Sequence, residues 1–162
     1  MIVGSVRMRS ASTSDASKIA SLLRESITEL CIDDHRRDAG LLNAWLADKT
    51  PDTVAEWMGN PASQFIVVED EAGLAAMGCL VPKGIVALNY VAPRARWHGY
   101  SKAVMAELER LARASGVSRM RLESTQTALR FYHAIGFRSD GAPVNSFGLT
   151  AWPLVKDLVE AD

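Results

Sequence analysis

Cysteine is scarce in this chain. Its 162 residues hold two, Cys31 and Cys79, which fall in separate apolar segments and form no Cys-x-x-Cys pair. The two read as buried thiols of a reducing compartment rather than as a disulfide framework. Charge of one sign is missing as well. The 18 Lys and Arg against 19 Asp and Glu leave a formal net charge of −1, which offers nucleic acid no electrostatic footprint. No run approaches the roughly 20 apolar residues that span a bilayer. The opening Met1–Arg7 turns polar too soon for a secretory signal, so no membrane partner and a cytoplasmic location are expected. Repeats, linkers and low-complexity tracts are absent. No Gly-Lys-Ser/Thr closes a phosphate loop and no Gly-x-Gly-x-x-Gly occurs, which removes the two commonest nucleotide-binding signatures. Cys31, Asp34 and His35 lack a second cluster to complete a tetrahedron, so no metal is expected. What is present, 48% hydrophobic and 23% charged residues, is ordinary for a soluble globule, and a single domain over 1–162 is expected.

Periodicity orders the chain. Val6 to Arg9 reads as a first strand. Ser12 to Asp15 supplies N-cap candidates for a helix with Ile19, Leu22, Leu23, Ile27 and Leu30 on one stripe. Cys31 to Asp38 is dense in charge and poor in periodicity. A second helix is expected around Leu41, Leu42, Trp45 and Leu46. A third is capped by Thr50, with Pro51 at the first helical position and Asn60-Pro61 as its end. Strands at 64–68, 74–81 and 85–91, joined by tight turns, predict an antiparallel meander. A helix from Gly99 to Ser115-Gly116 then leads to a strand at 117–124, parallel to its predecessor. A short helix over 127–135, a strand from Phe137 and a last strand over 146–152 complete the pattern. This order predicts a mixed sheet with helices on both faces.

The most informative stretch joins strand 85–91 to the long helix. Pro93 ends the apolar run, and Arg94, Arg96, His98 and Lys102 crowd around Gly99 at the helix start. The first N–H groups of a helix are unpaired and sit at the positive end of its dipole. A glycine there lets the backbone approach an anion, so the turn reads as a phosphate cradle.

The spacing Arg96-x-x-Gly99-x-Ser101 resembles the Arg/Gln-x-x-Gly-x-Gly/Ala signature of the GNAT superfamily of N-acetyltransferases, with Ser101 as a departure. Ala128-x-x-Phe131-Tyr132-x-x-x-Gly136-Phe137 resembles the second signature of that family at every defined position. Thr125 stands where many members carry an Asn that contacts the cofactor arm. The resemblance implies an α/β fold, with a twisted mixed sheet of six or seven strands flanked by helices on both faces. It implies acetyl-CoA as co-substrate, with the pyrophosphate on the loop of Arg96, Trp97, His98, Gly99, Tyr100, Ser101 and Lys102. The pantetheine arm would lie where strands 85–91 and 117–124 splay apart, pairing with Tyr90 and Val91 and meeting Thr125 and Phe131. A backbone N–H near Asn89 would polarise the thioester carbonyl. Many members dimerise, so a homodimer is one expected assembly.

Acetyl transfer needs a neutral amine, a stabilised oxyanion and a proton for the leaving thiolate. An alkyl ammonium is neutral in only about one molecule per thousand at pH 7.4. Tyr132 matches the general acid of the family; the other reading is a packed aromatic whose hydroxyl finds a partner. Glu123 stands where some members carry a base. It would act through water, or else pair with Arg121 or Arg119. No Glu occupies strand 85–91, which holds Asn89 instead. Asp33, Asp34 and His35 lie in a segment that overhangs the acceptor side in this fold; they would bind a cationic amine, with His35 sharing the role of base, or form a solvated loop. The expectation is transfer from acetyl-CoA to a small-molecule or peptide amine. The alternative is a non-catalytic acyl-CoA-binding module on the same fold.

Overall fold

The first strand, β1 (Arg7–Ser10), leads through one 3-10 turn at Thr13–Asp15 into α1 (Ala16–Leu30), α2 (Ile32–His35), α3 (Ala39–Leu46) and α4 (Pro51–Met58). The meander follows as β2 (Gln64–Asp70), β3 (Gly73–Val81) and β4 (Ile85–Val91). The chain continues through α5 (Tyr100–Ala114), β5 (Arg119–Ser124), α6 (Leu129–Ala134), β6 (Arg138–Ser139), β7 (Val144–Ser146) and β8 (Leu149–Asp157). This computed structural model describes residues 5–146 and 148–158. Phe147, inside the expected last strand, and the terminal residues 1–4 and 159–162 lie outside them.

Local chemistry accounts for most of these bounds. Asp15 accepts from the Ser12 N–H at 2.8 Å and from the Arg9 guanidinium at 2.8 and 2.9 Å, which ties β1 to the start of α1. The Arg9 guanidinium holds the Asp15 carboxyl down at about 2. Thr50 accepts from the Thr53 N–H at 3.2 Å and Pro51 opens α4, as its missing N–H permits. Ile19, Leu22, Leu23 and Ile27 form the buried stripe of α1.

The strands run in the order β1-β2-β3-β4-β5-β8-β6, with β7 pairing β8 off that path. Every pairing is antiparallel except β4 with β5. Among the described residues eight strands replace the expected six or seven, β6 and β7 being pieces of only two and three residues. β3 is buried without a break from Ala75 to Leu80, as a strand covered on both faces must be. Its helical neighbours are α5 and α1. None of the helices among the described residues is long and apolar enough to cross a membrane.

The parallel pair opens a wedge in the sheet. β4 meets β5 only at Ile85 and Arg121. Beyond that point the strands part, leaving one edge of β4 without a ladder. The register of β4 on β3 slips at Ala87, since Cys79 faces Leu88 while Leu80 faces Val86. A bulge bends its strand and sharpens the twist, which turns β4 away from β5. Gly84, at the closed end of the wedge, has φ +75°, and a Cβ there would lie 2.5 Å from Val117 Cγ1 and 2.6 Å from the Arg119 carbonyl oxygen. Gly84→Ala should therefore destabilise the fold by about 3 kcal/mol, through overpacking and a left-handed backbone together. Urea unfolding measures this, and a loss under about 0.5 kcal/mol, the scale of a neutral surface change, would show that the junction yields.

Two expected boundaries move. The last strand does not stop at Trp152 but runs through Pro153 to Asp157. Proline only withholds a donor; its carbonyl accepts from the Asp140 N–H at 2.9 Å, and Pro153 faces Glu123 across β5. The charged stretch after Cys31 holds a helical turn, α2, closed by Arg36 and Arg37 at φ 52° and 59°.

Candidate active site

The open side of the β4/β5 wedge is a cleft of about 750 Å³, lined by β4, the start of α5, the end of β5 and α6. All the residues expected at the cofactor line it: Asn89, Tyr90 and Val91 on β4, the run Arg96 to Lys102, and Thr125 and Phe131. Tyr132 and Glu123 line it too.

At one end the chain turns through two left-handed residues, Trp97 at φ 70° and Gly99 at φ 77°. Gly99 precedes α5, and a Cβ there would meet nothing within 4 Å. The helix N-terminus thus opens onto free space. Trp97 is 88% exposed, with the Arg96 guanidinium 4.7 Å from its ring centroid. A bulky residue at positive φ is strained, and such strain clusters at functional sites; the sequence placed Trp97 in the loop but did not show its left-handed backbone. His98 stacks on Tyr100 at 5.5 Å and its Nδ1 donates to the carbonyls of Ala95 and Arg96 at 3.0 and 2.9 Å. Arg94 does not join the cluster: it pairs with Asp70 at 2.8 Å and donates to the Leu74 carbonyl at 3.0 Å.

Toward the other end, Tyr132 is buried on α6, wedged edge-on between Phe131 and Phe137 at 5.2 and 5.7 Å. Its hydroxyl accepts from Asn89 Nδ2 at 3.2 Å. Burial pushes the phenol up to about 12, the Asn89 contact opposing and Cys31 adding slightly. Burial raises Tyr90 as well, and takes the Cys31 thiol up to about 12 with help from Asp34. The phenol and thiol are therefore protonated at neutral pH.

Glu123 is exposed on the cleft wall, and the arginines that could have claimed it are taken. Arg121 pairs with Asp140 and Arg119 with Asp157, each at 2.7 Å. Thr125 has a local duty, its Oγ1 accepting from the Ala128 N–H at 3.1 Å ahead of α6.

The acceptor trio is dispersed. Asp33, Asp34 and His35 are not among the cleft-lining residues. His35 is 1% exposed; its Nε2 donates to the Ile27 and Thr28 carbonyls at 3.1 Å and its Nδ1 accepts from the Arg37 N–H at 3.0 Å. Both ring nitrogens are spent on closing the C-terminus of α1, which leaves none for an acceptor. Asp34 accepts from the Gln126 N–H at 2.6 Å, the Thr127 N–H at 3.2 Å and the Thr127 hydroxyl at 2.6 Å. It straps α2 to the turn that carries α6. Asp33 is exposed. In their place Ser26, Leu30 and Cys31 bring the end of α1 to the cleft, and Arg130 adds a cation. Ser26 was legible as a polar residue on the apolar stripe of α1, and Arg130 as an undefined position of the Ala128–Phe137 motif. Among the described residues no three His, Cys, Asp or Glu are placed to hold a metal.

The family model described as "Acetyltransferase (GNAT) domain" matches residues 31–158. No curated protein matches the chain at the level of sequence. Among solved structures it is similar to a GCN5-related N-acetyltransferase from Rhodopseudomonas palustris, with TM-score 0.85, 20% identity and coverage of 98% of this chain and 99% of that one. The PaiA N-acetyltransferase of Thermoplasma acidophilum, solved with coenzyme A, aligns with TM-score 0.79 and 16% identity over 94% and 99%. The yncA protein of Salmonella typhimurium, solved with acetyl-CoA, aligns with TM-score 0.72 and 18% identity over 96% and 95%.

Proposed function

Because this chain belongs to the GNAT family of acetyltransferases, we propose that it transfers the acetyl group of acetyl-CoA directly to a primary amine on a small molecule or peptide. The observation that carries the reading is a single cleft holding both the Arg96–Lys102 loop and the buried Tyr132, with the parted strands β4 and β5 between them. A volume of about 750 Å³ lies within the range of ligand pockets, roughly 300–1,000 Å³. The open space at Gly99 and the ladder-free edge of β4 fit a phosphate group and an extended amide-bearing arm.

Acetyl-CoA supplies the thioester, whose C–S bond breaks as the C–N bond to the amine forms. The N-terminus of α5, with Arg96 and Lys102, holds the pyrophosphate. The backbone of β4 at Tyr90 and Val91 pairs with the arm as a strand would, and an N–H near Asn89 faces the carbonyl oxygen. Tyr132 gives its proton to the departing sulfur. Glu123, free of the neighbouring arginines, takes the proton lost by the amine through a water molecule. Mixing the protein with acetyl-CoA and a panel of primary amines, and following free thiol, tests the reading. Amine-dependent thiol release is expected. A protein that binds CoA but releases thiol with no amine would be an acyl-CoA-binding module instead.

A further inference from the structure

Among the described residues Trp97 is the large apolar side chain left most fully in solvent. It is 88% exposed, where the next, Met8, reaches 42%. Its outward place is not a default of the chain, because a backbone at φ 70° is unfavourable for any residue with a Cβ. The Arg96 guanidinium lies over the indole, 4.7 Å from the ring centroid. One face of the ring is thus occupied, and the exposure leaves the other bare. Both residues line the cleft, together with Gly99 and Lys102 at the start of α5.

We propose that the bare face of Trp97 is a stacking platform for the adenine of coenzyme A. The inference rests on the acetyl-CoA reading and adds to it the place of the base. Reach, charge and shape each favour this guest. Trp97 stands two residues before Gly99, a span of at most about 7 Å of chain. A ring resting on the indole is therefore about one ribose away from an anion at the helix start. A π face that already holds a guanidinium, with Lys102 on the same turn, has little attraction left for a second cation. Neutral flat rings are the guests that remain, and a bicyclic purine matches the bicyclic indole in area. Arg96 keeps its other duty, because a guanidinium stacked on a ring still directs its N–H donors outward in its own plane, toward a phosphate oxygen. The guanidinium also limits rotation of the indole, so less freedom is lost when a base docks.

Calorimetry with CoA and with phosphopantetheine, which keeps the arm and one phosphate but lacks the adenosine part, separates the base from the rest of the ligand. The proteins are wild type, Trp97→Ala and Trp97→Phe. Each variant keeps a Cβ, so the backbone strain is unchanged, and the melting temperature without ligand controls for folding. Trp97→Ala should weaken CoA binding by roughly tenfold to a hundredfold, the range for one base stacked on an aromatic ring. Phosphopantetheine binding should stay within about twofold of wild type. Trp97→Phe retains an aromatic face and should keep most of the CoA affinity. The part of the tryptophan quenching by CoA that phosphopantetheine does not produce should vanish in Trp97→Phe. CoA affinity within about twofold of wild type in Trp97→Ala would overturn the proposal. Equal losses for both ligands would do the same, because a ring that only shapes the turn weakens every ligand alike. If wild type binds phosphopantetheine as tightly as CoA, the platform fails while the cofactor reading stands; if it binds neither, both fail. Quenching by phosphatidylglycerol vesicles with none by CoA would assign the ring to a membrane surface instead.

Discussion

Replacing Tyr132 with phenylalanine is expected to lower kcat by about a hundredfold or more, the usual worth of a positioned general acid. The ring contacts with Phe131 and Phe137 survive the change, and only the hydroxyl held by Asn89 is lost. Stability should fall by no more than about 1 kcal/mol, the net value of one hydrogen bond. CoA affinity should be kept, because the Arg96–Lys102 turn proposed to hold the phosphates is untouched. The pH profile adds an independent check. The buried phenol is pushed up to about 12, above its value near 10 in an unfolded chain. A folded-state pKa raised in this way favours the protonated phenol, so its contribution to stability is complete below about pH 10 and is lost as pH rises through about 12. In the wild type, Tyr132 therefore imposes no descending limb on kcat between pH 8 and 10. An unchanged kcat in Tyr132→Phe, with chemistry shown to be rate-limiting, would remove Tyr132 from the reaction.

Gly99→Glu is expected to abolish the rise in melting temperature that CoA produces in the wild type. The position is open, so the side chain fits, but it places a carboxylate at the start of α5, where the proposed function puts the pyrophosphate. Two unit charges about 4 Å apart repel by about 1 kcal/mol in water and about 4 kcal/mol near a protein surface. The affinity for CoA should drop by roughly tenfold to a thousandfold. The left-handed backbone adds about 1 kcal/mol of strain for any residue with a Cβ, so Gly99→Asn, which tolerates φ 77° and is uncharged, isolates the electrostatic part. Gly99→Asn should keep most of the CoA shift. A full shift in Gly99→Glu would mean that the turn does not carry the pyrophosphate.

Features that depend on a few adjacent residues were legible. Thr50-Pro51 opened α4 as its capping chemistry requires, and Gly99 and Gly136 took left-handed backbone where the motifs placed glycine. The meander and the parallel β4/β5 pair followed from turn lengths and an intervening helix. Charged residues were the least legible. Arg94 stood in the basic cluster by sequence but is drawn to Asp70, 24 positions away. Asp34 and His35 looked like residues of an acceptor loop, yet one straps a turn 92 positions downstream and the other closes α1.

By itself the sequence determined the order of the longer elements, the glycine turn at Gly99 and the helix that carries Tyr132. Those depend on backbone sterics, caps and apolar period, interactions that reach only a few residues along the chain. Only the tertiary structure decided that β4 parts from β5 after Ile85, that Glu123 escapes its arginines, and that Asn89 meets Tyr132 across 43 positions. A long polar side chain has several partners within reach, and which one it takes is settled by register, twist and the packing of helices on the sheet. Those are properties of the assembled sheet, written in no single stretch of residues.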